Sequence, residues 1–270
     1  MKIFDCFTYF DEDMLLDFRL NVLNSYVDKF VIVEAREDHQ GNKKKLNFKI
    51  NKFKKFKNKI IYIVQDKIEI DKNTILAKNW HPAHLKDQAQ RNYIMQGLHN
   101  ANPNDLIIIS DLDEIPNPKS ISLFNHKDKF AVFEQKNFCY KFNLIYSDYK
   151  WYGSRICVKK YLLSPQWLRN KKIYSKSLLK KFIYKFKIIP EGGWHFSYLK
   201  SPKQIVKKIN SFCHGELNKS KFKNIKKINE KIKNGKNLYS NEKVYNKVKL
   251  DNSFPVYLLK NKKKYKNWIV

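Results

Sequence analysis

Through residues 1–116, short β-branched runs alternate with stretches whose apolar side chains recur at three-to-four spacing. Ile3 to Phe7 predicts a first strand. Asp11-Glu12-Asp13 then opens a helix with Leu15, Leu16, Leu20, Leu23 and Val27 on one face, the acids capping its start and opposing its dipole. Phe30 to Val33 is a second strand ending at Glu34. Leu46, Ile50, Phe53 and Phe56 form a lysine-coated helical stripe, and Ile60 to Val64 a third strand. Asp87 to His99 reads as a helix closed by Asn102-Pro103-Asn104. Leu106 to Ile109 is a fourth strand that runs into Asp111. Strands apolar at every position, separated by helices, predict an α/β fold around a buried, mostly parallel sheet.

Beyond residue 116 the rhythm loosens. Phe130 to Glu134, Phe138 to Asn143 and Ile156 to Val158 predict further strands of mixed direction. Gly192-Gly193-Trp194-His195 marks a turn, and Pro202 to Phe212 a helix. The tail is lysine-dense yet keeps Phe254 to Leu259, so part of it must dock. With no repeat and no Ser/Gly linker, the expectation is one domain over 1–270, made of a first half (1–116), a second (117–215) and a helical C-terminal extension (216–270).

Composition narrows the class. Apolar residues at 43% and aromatics at 15% suffice for a sizeable core. No apolar run reaches the length of a membrane-spanning helix. Cys6, Cys139, Cys157 and Cys213 are scattered without a CxxC, and the opening residues lack a signal-peptide layout. The expectation is a cytoplasmic protein, with peripheral contact at an inner membrane face.

A net charge of +30 invites a nucleic-acid reading, but only five of the 55 basic residues are arginine: 19, 36, 91, 155 and 169. Readers of phosphate and bases lean on the planar guanidinium fork. Lysine in this excess, beside abundant Asn and Ile, points instead to codon bias, and no specific nucleic-acid partner is expected. The field still favours anionic lipid or a nucleotide diphosphate.

The sharpest chemical signal is Leu106-Ile107-Ile108-Ile109-Ser110-Asp111-Leu112-Asp113-Glu114-Ile115-Pro116. In open α/β sheets, ligands sit beyond the carboxyl ends of the strands. Acids at 111, 113 and 114 delivered there suit a hard divalent cation such as Mn²⁺ or Mg²⁺, and that ion suits a diphosphate leaving group. Glu114 is open to two roles, ligand or cap of a helix after Pro116. Glu34, at a strand end, suits uracil or ribose hydroxyls, or a salt bridge to Arg36 or Arg91. Phe7-Thr8-Tyr9 ends the first strand and is a natural floor for a nucleobase, unless Phe7 and Tyr9 are simply core. Arg91, chosen where lysine is the rule, suits a grip on diphosphate or on an acid of the motif. His81 and His84 read as surface-loop residues.

The same residues carry a resemblance. Ile3-Phe4-Asp5-Cys6-Phe7, Asp13 to Leu23 with Arg19, Val27 to Glu34 and Gln90-Arg91-Asn92 are its first pieces. Ser110 to Pro116, Gly193 to Tyr198 and Tyr257 to Asn261 complete it. In these pieces, in order, the chain resembles glycosyltransferase family 17, the β-1,4-mannosyl-glycoprotein β-1,4-N-acetylglucosaminyltransferase family. The resemblance implies a GT-A type, Rossmann-like αβα sandwich, UDP-N-acetylglucosamine as donor, a divalent cation (commonly Mn²⁺) and inversion at the sugar. It also implies that Asp113 ligates the metal, that Asp111 reaches the ribose or the ion, and that the late His195 meets metal or diphosphate. The animal members carry a membrane anchor that is not found ahead of residue 1, so a glycan or lipid-linked glycan is the expected acceptor.

Inverting transfer needs a carboxylate to take the acceptor proton. Glu216 is the first candidate, then Asp148 and Glu191. The competing classes are a nucleotidyltransferase, a phosphatase of the haloacid dehalogenase type, and a basic, non-enzymatic anion-binding module. Against the phosphatase, Ile115 stands where its pattern wants threonine.

Overall fold

A computed structural model describes residues 1–70, 80–125, 127–173 and 186–270. The four apolar runs of the first half become β1 (Ile3–Thr8), β2 (Lys29–Ala35), β3 (Ile60–Gln65) and β4 (Leu106–Ile109). They pair in parallel in the order β3-β2-β1-β4. Both faces of β1, β2 and β4 are covered, which is why these strands are mostly apolar, Asp5 and Glu34 being buried exceptions. Phe7, Phe30, Ile32, Leu106 and Ile108 enter one core cluster, while Phe4, Cys6, Val31, Val33, Ile107 and Ile109 enter the other. Helix α1 (Asp13–Leu23) lays Leu16, Phe18 and Leu20 on the first face. The helix expected over 87–99 is realised as α2 (Ala83–Asn92), running on into a tighter turn over Tyr93–Gly97. The lysine-coated stripe folds only as a 3₁₀ segment, Ile50–Phe56, enough to bury Phe53 and Phe56.

Beyond β4 the mostly parallel sheet is corrected. The added strands are β5 (Glu114–Pro116), β6 (Phe130–Cys139), β7 (Leu144–Trp151), β8 (Arg155–Val158), β9 (Lys187–Ser197) and β10 (Asn246–Lys247). β8 runs antiparallel to β4 and β6, β7 to β6 and β10, and β5 to β9; β6 with β9 is parallel. The ten-stranded sheet is therefore mostly antiparallel. One cause is chain length between strands: the link 140–143 from β6 to β7 is too short for the crossover that parallel pairing needs, a dozen residues or more. Gly192-Gly193 lies inside β9 rather than in a turn. Gly193 has φ +138°, and a Cβ there would stand 2.2 Å from the Ile115 carbonyl oxygen. Its missing side chain admits β5, not a ligand.

Helix α3 (Pro118–Ile121) follows β5, and α4 (Pro165–Asn170) follows β8. Helix α5 (Pro202–Ser211) starts at a Ser201/Gln204 capping box and packs with α6 (Ile225–Lys233) on Cys139, Tyr140 and Leu144. The tail is only partly helical. Its α7 (Val256–Lys260) carries Leu258 into the main core beside Phe254 and Tyr265, with the Tyr265 ring 5.4 Å from that of Phe18. No helix among the described residues is long and apolar enough to cross a membrane.

Candidate active site

In the order β3-β2-β1-β4 the chain winds one way from β1 to β2, while β4 lies on the opposite side of β1. A crevice opens beyond the carboxyl ends of two strands that part in this way. Thr8-Tyr9-Phe10, leaving β1, and Asp111-Leu112-Asp113, leaving β4, border one cavity of about 660 Å³. A smaller hollow near Gly235 and Tyr245 is ringed by Lys233, Lys236, Lys243 and Lys247, with no carboxylate in its wall.

Arginine builds the motif's frame. Arg19, on α1, is wholly buried and grips Asp5 with both ends of its fork (2.8 and 2.6 Å). Its Nη1 donates to the carbonyls of Asp111 (3.0 Å), Leu112 (3.2 Å) and Glu114 (2.7 Å). Asp5 sits on β1 on the same face as Phe7, whose ring lies 4.5 Å beneath the guanidinium. One side chain thus fixes the backbone of the whole acidic loop from below.

Above the loop, Arg91 of α2 donates to Asp111 Oδ1 (3.0 Å) and Arg169 of α4 to Asp111 Oδ2 (3.1 Å). Arg91 also holds Asp87 and Gln166. Arg169 also holds the fully buried Glu114 (2.7 and 3.0 Å) and the Gly153 carbonyl. Glu114 accepts in addition from Trp151 Nε1 (2.7 Å) and from the Asp111 amide (2.8 Å). It is therefore a brace between strands, neither a metal ligand nor a helix cap. A Cβ on Gly153 would meet Glu114 Oε1 at 1.9 Å, so only glycine admits this packing. Arg155 carries α4 by donating to the carbonyls of Leu168 and Lys171, both at 2.6 Å. Four of the five arginines thus stand around the motif; Arg36 pairs with Asp66 at the surface.

Burial pushes the Asp111 carboxyl up, but Arg169 and Arg91 outweigh it and hold the group well below the ordinary carboxylate range. A folded value below the unfolded one, about 3.9, stabilises the protein above that pH, and the contribution is lost as pH falls through the folded value. Arg169→Gln should therefore be less stable than wild type at neutral pH, with the gap closing below about pH 4. Denaturant titrations across that range read it, and a gap of constant size from neutral to acid would sink the assignment.

Asp113 is differently placed. Its carboxylate lies 3.8 Å from His195 Nε2 and 3.5 Å from Lys208 Nζ, and no hydrogen bond engages it among the described residues. His195 pairs with Glu114 across β5 and β9, and its ring stacks on Trp151 at 4.3 Å. Its Nδ1 meets Asn137 Oδ1 at 2.9 Å; an amide oxygen only accepts, so Nδ1 carries a proton, and in the neutral ring Nε2 presents its lone pair toward Asp113. Two facing lone-pair donors, one carboxylate and one imidazole, fit a divalent cation between them. Asp111 stands apart from this pair: each of its oxygens accepts from an arginine, whose charge opposes a cation there. Burial pushes Lys208 down, but Asp113 and Glu12 outweigh it and keep the amine above the ordinary lysine range, charged over the cavity.

Other expected site residues scatter. Thr8 lines the cavity; Phe7 is core beneath Arg19. Glu34 is fully buried and is spent on Lys44 (2.5 Å), the amides of Asn47 and Phe48 and the Tyr62 hydroxyl, away from Arg36, Arg91 and the cavity. Asp148 lies exposed on β7 and Glu191 exposed in β9, neither in the cavity wall. Glu216 is half exposed and reaches the wall only through His214, which it bonds at 2.8 Å. His84, expected on a surface loop, is buried in α2 and lines the cavity. Asp11 and Glu12 clamp Lys200 of the chain entering α5, where a simple helix cap was expected. Sequence reasoning passed over Arg169, Lys208 and Trp151. For Arg169 the signal existed, since an arginine on a chain of lysines marks a need for a planar fork.

A sequence model of glycosyltransferase family 17 matches residues 1–269. No curated protein matches the chain.

Proposed function

The chain belongs to glycosyltransferase family 17, and we propose that it is a metal-dependent, inverting transferase of the GT-A type. In this reading it moves N-acetylglucosamine from UDP to a hydroxyl of a glycan or lipid-linked glycan. The observation that carries the reading is the meeting of Asp113 and His195 with Lys208, Arg91 and Arg169 at one cavity on the β1/β4 crevice.

Asp113 and His195 would hold Mn²⁺ or Mg²⁺, which when bound neutralises a diphosphate and makes it a better leaving group. The chain's own residues do the rest. Lys208 offers a charged donor to phosphate oxygens on the same side of the cavity. Asp111, immobilised by two arginines, presents remaining lone pairs to ribose hydroxyls. Thr8 and the rings of Tyr9 and Phe10 form the nucleobase floor. The acceptor hydroxyl attacks the anomeric carbon opposite the diphosphate, through an oxocarbenium-like transition state. The bond from that carbon to the diphosphate oxygen breaks, UDP leaves, and the hydroxyl proton passes to a carboxylate of the cavity wall. The lysine-rich surface favours peripheral contact with an anionic membrane, where a lipid-linked acceptor would sit.

A thermal-shift series with UDP-, GDP- and CMP-sugars, with and without Mn²⁺, tests the donor. UDP-N-acetylglucosamine with Mn²⁺ at hundredfold excess over Kd should raise Tm by roughly 5 °C or more. An equal response to GDP-mannose would overturn the donor assignment, and no response to any sugar nucleotide would remove the site itself.

A further inference from the structure

The cavity has a second chemical wall that the sugar-transfer reading does not use. His84 on α2 meets Cys213 and His214, which follow α5, and one ligand atom from each lies within 4.8 Å of the others. His84 is far in sequence from the adjacent Cys213 and His214, so tertiary folding brings them together. The two imidazoles meet edge to face at 4.6 Å, and Trp80 packs on His84. Cys6, Cys139 and Cys157 are buried, whereas Cys213 is partly accessible. Glu216 Oε1 lies 2.8 Å from His214 Nδ1. A carboxylate only accepts, so Nδ1 carries a proton and the neutral ring keeps its lone pair on Nε2, the support that metal-bound histidines usually have.

We propose that His84, Cys213 and His214 form a second metal site, one that binds Zn²⁺. One thiolate and two imidazoles make a borderline-soft ligand set that suits Zn²⁺, in contrast to the carboxylate-bearing Asp113–His195 pair, which suits a harder ion. Cys213 also lies near His39 and Asp87. Those two are already committed, His39 to Gln90 (2.7 Å) and Asp87 to Arg91, so the His84–His214 set takes the ion. Zinc there ties the segment after α5 to α2 along the cavity wall. All three ligands border the cavity, which would supply the remaining ligand of a four-coordinate zinc. Glu216 is then a positioning residue for His214 rather than the base of the transfer.

Cobalt substitution of the full chain, stripped with chelator and titrated with Co²⁺, tests this. A thiolate-to-cobalt charge-transfer band should saturate at one equivalent and be displaced by Zn²⁺. Cys213→Ser should abolish the band. Glu216→Gln should weaken binding about 10–100-fold while keeping the sulfur band, and His84→Ala and His214→Ala, which remove ligands, should weaken it further. Asp113→Ala should leave the band intact, which separates this site from any ion at Asp113 and His195. A wild-type chain without the band, or Cys213→Ser with the band unchanged, overturns the proposal. Should Cys213→Ser fail to fold, alkylation of the wild-type chain decides: Zn²⁺ should protect Cys213, and an unchanged alkylation rate overturns the site.

Discussion

Asp113→Ala is expected to fold normally and to lose metal-dependent UDP release by about 10²–10³-fold, the range seen when one preorganised charge-stabilising group is removed from an active site. Folding should survive because the carboxylate has little structural duty: its neighbours are Lys208 at 3.5 Å and His195 at 3.8 Å, beyond ordinary hydrogen-bond length. Activity should fall because the facing lone pair of His195 then stands alone against a divalent ion. The measurement is UDP release against Mn²⁺ concentration, with Asp148→Asn and Glu191→Gln as companions, since both lie outside the cavity wall. The companions should retain the wild-type rate. An Asp113→Ala chain that keeps both rate and Mn²⁺ dependence would remove the metal reading.

Arg19→Leu should cost about 3–5 kcal/mol of stability, because it strands the Asp5 carboxylate in the core without a partner. Both side chains are wholly buried. Removing Asp5 as well, as Asp5→Leu with Arg19→Leu, should recover much of that stability, since apolar replacements of buried ion pairs are often neutral. Activity should not return with it. Arg19 also donates to the carbonyls of Asp111, Leu112 and Glu114, and the double variant removes that donor from beneath the loop. Thermal unfolding and UDP release measured on the same samples decide. Recovery of both in the double variant would show that the loop does not depend on Arg19.

The first half of the fold was legible for a specific reason. Strands buried on both faces are near-continuous apolar runs, and links long enough for a crossover, two of them carrying α1 and α2, permit parallel pairing. Beyond β4 polar residues interrupt the runs, as in β6 and β7, and direction is set by link length and by the partner each edge meets. Neither is written in the strand itself, so β7 and the long β9 went unforeseen. The motif was legible because acids directly after a buried strand have few structural uses. Glu34 looked similar at the end of β2 and proved structural: the 44–48 segment, distant from it in no sequence pattern, folds over it and saturates its oxygens.

The sequence alone determined the βα alternation, the acids at the end of β4 and the scarcity of arginine, because each is a local choice of residue type at a local position. Which acid is free was decided only in three dimensions. Asp111, Asp113 and Glu114 are near neighbours with nearly the same chemistry, yet Arg91 from α2 and Arg169 from α4 close on two of them and leave Asp113 facing His195. A carboxylate's role follows from the charges and lone pairs packed around it, and here those arrive from elements far along the chain.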